Sequence, residues 1–141
     1  MIMETKTLTT REIINAYNVL NKLNIQKLEN EEVLALLRFK KKVRPIVKAY
    51  DEFVEDARKS VIPENINEIS HKMQAQRQLT SQESAMLIEA DKRLTELLSV
   101  EVVKTHEIEM SPELNETTLV KLFKECGLET KDEDHIYFLF E

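Results

Sequence analysis

Residues 36–57, LLRFKKKVRPIVKAYDEFVEDA, place Leu36, Phe39, Val43, Ile46, Tyr50, Phe53 and Ala57 at alternating spacings of three and four. That is a seven-residue hydrophobic repeat, and it lays these side chains on one stripe of a single long helix. The spacing returns at Leu87, Ala90, Leu94 and Leu97. Two such stripes predict an antiparallel hairpin of long helices packed seam to seam.

Outward from the first seam, Asn30 is a candidate cap, with Glu31 and Glu32 at the positive end of the helix dipole. The helix is expected to run to about Ser60, and Pro45 inside it predicts a kink or break on the side away from the seam. Because the stripe holds its phase across Pro45, a continuous helix explains it better than two separate ones. Upstream, Thr9 and Glu12 have capping-box spacing and Leu8 is placed to staple onto Ile13. An amphipathic helix through Ile13, Ile14, Tyr17, Leu20 and Leu23 follows and fades near Asn24.

Downstream, Ile66, Ile69 and Met73 suggest a short helix, and Thr80 with Glu83 repeats the capping-box spacing ahead of the second seam, in a helix ending near Leu98. From Val100 the period changes to two: Val100, Val102, Ile108 and Met110 face one way, and Glu101, Thr105, Glu107 and Glu109 the other. A lone strand leaves its backbone unpaired, and the best partner is the Met1–Leu8 segment. Ser111–Pro112 or Asn115 then begins a helix burying Leu119, Val120, Phe123 and Cys126, with Gly127 as its left-handed cap. The tail from His135 to Glu141 is readable as a third strand or as a helical turn begun at Thr130–Glu133, and the helix is preferred. The fold class is therefore mainly α with minor β. It comprises a long-helix hairpin, shorter helices and a two-stranded sheet formed by the N-terminal segment and residues 100–110. A single domain over 1–141 is expected, with a helical core at 9–98 and a strand–helix subregion at 99–141.

Composition narrows function mostly by exclusion. The 141 residues contain one glycine and three prolines, which argues against glycine-rich phosphate-cradling loops. Apolar runs such as Ile136–Phe140 are far below the roughly 20 residues of a membrane span, and Met1–Thr10 lacks the pattern of a signal peptide. A single cysteine, Cys126, cannot make an internal disulfide, which fits a reducing, cytoplasmic compartment.

His71, His106, His135 and Cys126 show no zinc-type spacing, and Cys126 sits where a small buried hydrophobe is ordinary. Glu101, Glu107 and Glu109 read as a solvated strand face. No catalytic residue, metal ligand or cofactor is assigned. The strongest local charge signal is Arg38, Lys40, Lys41, Lys42, Arg44 and Lys48, set against an acidic end and a net charge of −6. The total charge disfavours general nucleic-acid binding, so an acidic protein partner is at least as well served by this basic segment.

The segments LTTREIINAYNVLNKLNI (8–25) and VEVVKTHEIEM (100–110), flanking a charged helical middle, resemble small acidic helical proteins of tailed phages and prophages. The resemblance implies an accessory or host-interaction role and assigns no site residues. The expectation is a non-enzymatic protein–protein interaction module, an adaptor, assembly factor or inhibitor. It would act through the seam residues Leu36, Phe39, Val43, Ile46, Tyr50 and Phe53, by self-association as a homodimer or with another protein. The alternatives are a nucleic-acid-associated protein using residues 38–48, or an enzyme whose site is assembled from dispersed residues.

Overall fold

The computed structural model describes residues 4–141; Met1–Met3, the first part of the expected N-terminal strand, lie outside the described residues. The order is β1 (Glu4–Thr9), α1 (Thr10–Lys22), α2 (Asn30–Val61), α3 (Ile66–Gln74), α4 (Ser81–Val102), β2 (Thr105–Met110), α5 (Glu116–Glu125) and α6 (Glu133–Ile136), with 3-10 turns at Ile25–Lys27, Thr130–Asp132 and Tyr137–Leu139. The chain is mainly α with one small sheet. It divides into two compact units, one formed by residues up to Ala49 together with Val103–Glu141, the other by Tyr50–Val102.

In the first unit β1 and β2 pair antiparallel, Glu4 opposite Met110 and Thr9 opposite Thr105. Alternation turns Ile108 and Met110 inward and leaves Thr105, Glu107 and Glu109 exposed. Thr9 ends the strand and starts α1 through the expected capping box: its hydroxyl accepts from the Glu12 amide at 3.1 Å, and its own amide donates to Glu12 Oε1 at 2.9 Å. Ile13, Ala16, Val19 and Leu20 form the buried face of α1, spaced as a helix stripe requires.

The largest cluster of buried apolar side chains joins these to Leu36, Phe39 and Val43 of α2, Leu119 and Leu122 of α5, and Ile136, Leu139 and Phe140 of the tail. The tail is helical through Leu139, as preferred from sequence, and it belongs to the core. Its Phe138 ring lies 6.2 Å from that of Phe39, tilted by 60°. The Thr130–Glu133 spacing, however, makes no side-chain cap. Apolar packing thus centres on the N- and C-terminal thirds of the chain.

α2 is continuous over 32 residues with Pro45 inside it, and Pro45 is exposed. An exposed position lets water satisfy the carbonyl that loses its partner, so the helix survives. The start of α2 is closed by Glu29, whose amide donates to Glu32 Oε1 at 3.1 Å; the cap expected at Asn30 lies one residue earlier.

Two further expectations are corrected. Residues 100–102 are the last turn of α4, so the strand begins at Thr105: Leu94, Leu98 and Val102 recur at spacing four, and this helical stripe overrides the short Val100–Val102 alternation. On α5, Asn115 is the cap, accepting from the amides of Thr117 and Thr118, which fixes a phase that buries Leu119 and Leu122 and leaves Val120 exposed and Phe123 half-buried. Gly127 follows at φ +84°, as its left-handed role requires.

The second unit holds the end of α2, α3 and α4. Thr80 and Glu83 form the expected capping box at 2.9 and 3.1 Å. Glu83 also accepts from Lys72 Nζ of α3 at 2.7 Å. Ala57 and Ile69 are buried here, while Tyr50, Phe53, Leu87, Ala90, Leu94 and Leu97 are only half-buried.

Replacing Phe140 by alanine should cost about 3 to 5 kcal/mol, the usual range for a buried aromatic, because this penultimate residue is 2% exposed. Urea denaturation reads the loss, and a change near zero would show that the tail is not part of the folded core.

Candidate interaction surface on the long helix

The start of α2 is held by a charged clamp in the first unit. Glu32, 8% exposed, accepts from the Thr118 hydroxyl at 2.5 Å and from Lys121 Nζ at 2.9 Å, both on α5. Burial pushes the Glu32 carboxyl up, but the bonds from Thr118, Lys121 and the Glu29 amide outweigh it and hold the carboxyl below its ordinary range. Lys121 is raised correspondingly by its bond to Glu32. The clamp is built from ordinary structural pairs; it fixes the rotation of α2 and so decides which residues of that helix face outward.

That rotation separates the sequence-predicted site residues into two groups. Leu36, Phe39 and Val43 are sealed in the core of the first unit and are closed to a partner; Ile46, Tyr50 and Phe53 are half-buried. The outward stripe is instead Leu34, Leu37, Arg38, Lys41, Pro45 and Lys48, all exposed, at spacings that keep them on one face. Leu34 and Leu37, in the first turns of α2, are 49% and 46% exposed, large values for leucine. Sequence reasoning singled out the cations but not these leucines, because a leucine beside an apolar seam reads as more seam. Their offset from the Leu36–Phe39–Val43 phase was the available signal.

The basic residues differ in their commitments. Lys42 reaches Glu109 of β2, 3.4 Å from its carbonyl and 3.9 Å from its carboxylate. Arg44 bonds to the Tyr17 hydroxyl, holding its pKa below the ordinary phenol value despite the opposing effect of burial. Arg38, Lys40, Lys41 and Lys48 make no ion pair within 4.0 Å among the described residues. The face therefore combines two exposed leucines with uncommitted cations.

The other candidate chemistry is dispersed. Cys126 is buried, and burial together with the charges of Glu125 and Glu32 pushes its thiol up, away from the reactive thiolate. His106 Nε2 is 2.8 Å from the Thr10 hydroxyl, whereas His71 and His135 are exposed. Glu101 ends up on α4, so it does not share a strand face with Glu107 and Glu109. Among the described residues no group of three histidines, cysteines or acids is placed to hold a metal. Among them, too, no helix is long and apolar enough to cross a membrane. No known protein family, no curated protein and no solved structure matches this chain.

The Glu32 clamp predicts an acid-sensitive fold. A carboxyl held below its unfolded value of about 4.5 contributes stability that is full above that pH and lost as pH falls through the lowered value. Urea midpoints should therefore drop below about pH 4.5 in the native protein and drop less steeply in Glu32→Gln, which should also cost about 1 to 3 kcal/mol at neutral pH by leaving Lys121 without its carboxylate partner. Equal pH slopes in the two proteins would remove Glu32 from this role.

Proposed function

We propose that this chain is a non-enzymatic protein–protein interaction module of phage or mobile-element type, an adaptor or inhibitor that docks an acidic, apolar-faced protein segment on the outer stripe of α2. The observation that carries the reading is the pairing of Leu34 and Leu37 with Arg38, Lys41 and Lys48 on one exposed helical face. Exposed apolar side chains ringed by charge are the composition of a docking patch, and uncommitted cations favour a partner of opposite sign. The burial of Cys126 and the separation of the histidines support the non-enzymatic part of the reading.

Nucleic acid is the rival ligand for the same cations. Phosphate would use the lysines and arginine and leave Leu34 and Leu37 idle, and the net charge of −6 opposes it. The rivals therefore differ in whether the leucines matter.

The test is affinity capture from a bacterial host lysate with the wild-type chain, Leu34→Asp, Lys41→Glu, and Lys124→Glu as an exposed control on another helix. One protein should be recovered by wild type and control. It should be lost about tenfold or more, about 1.4 kcal/mol, in each α2 variant at unchanged circular dichroism. Equal recovery by all four proteins would reject the stripe. A salt-sensitive shift of DNA or RNA, lost in Lys41→Glu but kept in Leu34→Asp, would replace the proposal with the nucleic-acid reading.

A further inference from the structure

The second unit carries a separate feature that the α2 stripe does not use. Ser60 and Val61 at the end of α2, with Pro63 just beyond it, face Met86, Glu89, Ala90, Arg93 and Leu97 of α4 across a cavity of about 650 Å³. Met86, Ala90, Arg93 and Leu97 follow one another at spacings of four, three and four, so they form a seam along one flank of α4. Glu89 and Arg93 are exposed and the apolar members are half-buried. Neither charged residue makes an ion pair within 4.0 Å among the described residues.

The order of side chains along this flank is self-complementary. Read forward it is apolar (Met86), acidic (Glu89), small (Ala90), basic (Arg93), apolar (Leu97); read backward it is the same with the charges exchanged. A two-fold axis perpendicular to α4 between Asp91 and Lys92 brings Met86 of one copy to Leu97 of the other. It also sets Glu89 within one residue of Arg93, twice over. A two-fold interface requires such a patch, since the same surface must serve both partners. On this axis Ala90 lies opposite Arg93 of the other copy, and its small side chain leaves room for the arginine stem to cross toward Glu89; the cavity wall at Val61 and Pro63 gives the incoming helix a second surface.

We infer that the occupant of this groove is a second copy of the chain, with α4 packed antiparallel on α4 across a two-fold axis near residues 91 and 92. The juxtaposition also supplies burial that this unit lacks within one copy, where Met86, Ala90 and Leu97 remain half-buried. The inference does not rest on the α2 reading: Leu34→Asp should leave the dimer intact whether or not that stripe binds anything.

Light scattering on the full chain tests it. Wild type should show twice the 16.5 kDa chain mass. Glu89→Arg and Arg93→Glu should each be monomeric, because each sets like charges against one another. Mixed in equal amounts, the two variants should recover the dimer, since one copy then offers two arginines to two glutamates. The double exchange Glu89→Arg/Arg93→Glu should also be dimeric. The inference is overturned if wild type stays at chain mass up to millimolar concentration, if both single variants remain dimeric, or if their mixture stays monomeric. Should a single variant lose helicity by circular dichroism, Ala90→Cys replaces it. A short bismaleimide should then link two copies through position 90, since Cys126 is buried; absence of the linked species overturns the proposal equally.

Discussion

The structure depends first on the pairing of β1 with β2, which ties residues 4–9 to residues 105–110. Closing a loop of that length costs chain entropy that grows slowly with length, and a two-stranded sheet by itself is marginal in water. The ladder therefore has to be fastened at its base and backed by a core. Fastening comes from Thr10, whose amide donates to the Lys104 carbonyl at 2.9 Å and whose hydroxyl meets His106. Backing comes from Leu8, Ile108 and Met110, which join the buried cluster with α1, α2, α5 and the tail. Lys6 adds a link at the other end of the strand, donating to the Phe138 carbonyl at 2.6 Å and to Glu141 at 2.8 Å. The last residues of the chain are thus fixed to the first described strand.

Two glutamates then carry the same double task. Glu32 accepts from the amide of Glu29, and Glu83 from that of Thr80, each closing its own helix start; each also takes a lysine from another helix, Lys121 and Lys72 respectively. One carboxylate satisfies an orphan amide and fixes a neighbouring helix, so local capping and tertiary position are set together. Glu83 is lowered chiefly by the Lys72 bond, and Glu32 by hydrogen bonds that overcome its burial. Of the two, the sequence shows only the Thr80–Glu83 capping spacing, and the lysine partners lie 11 residues from their glutamate in one case and 89 in the other.

That contrast explains what was legible. Signals confined to a few residues were readable in the Thr9 and Thr80 boxes, Gly127 and the alternation of Ile108 and Met110; the N-terminal segment followed as strand partner because a lone strand needs one. Signals whose meaning depends on distant packing were not. The Leu36–Ala57 stripe predicts a long helix correctly, but periodicity does not say what covers it; Leu36, Phe39 and Val43 meet the α1, α5 and tail residues of their own unit. Val120 follows Leu119 in an apolar run, and the phase set by Asn115 turns it outward. The candidate surface is a partial case: Leu34 and Leu37 are offset from the Leu36–Phe39–Val43 phase in the sequence, but only the packing of α2 shows that the offset side is the wet one.

The two units also differ in how completely they bury apolar side chains, and this difference bears on association. The first unit seals large residues such as Phe140, Ile13, Leu36, Leu122 and Ile136 almost fully. In the second, Ile69 is the large side chain sealed to that degree among the described residues, while Met86, Leu87, Leu94, Leu97 and Leu98 keep part of their surface in water. A segment of about 50 residues is already near the size at which a single core is marginal. Each incompletely covered leucine forgoes part of the roughly 1.5 to 3 kcal/mol that full burial contributes. Lys72–Glu83 adds one partly buried ion pair, and such pairs specify geometry more than they supply net stability. Additional apolar contact is therefore the term with most to contribute in this unit, and a surface formed by a second helix is the simplest way to provide it.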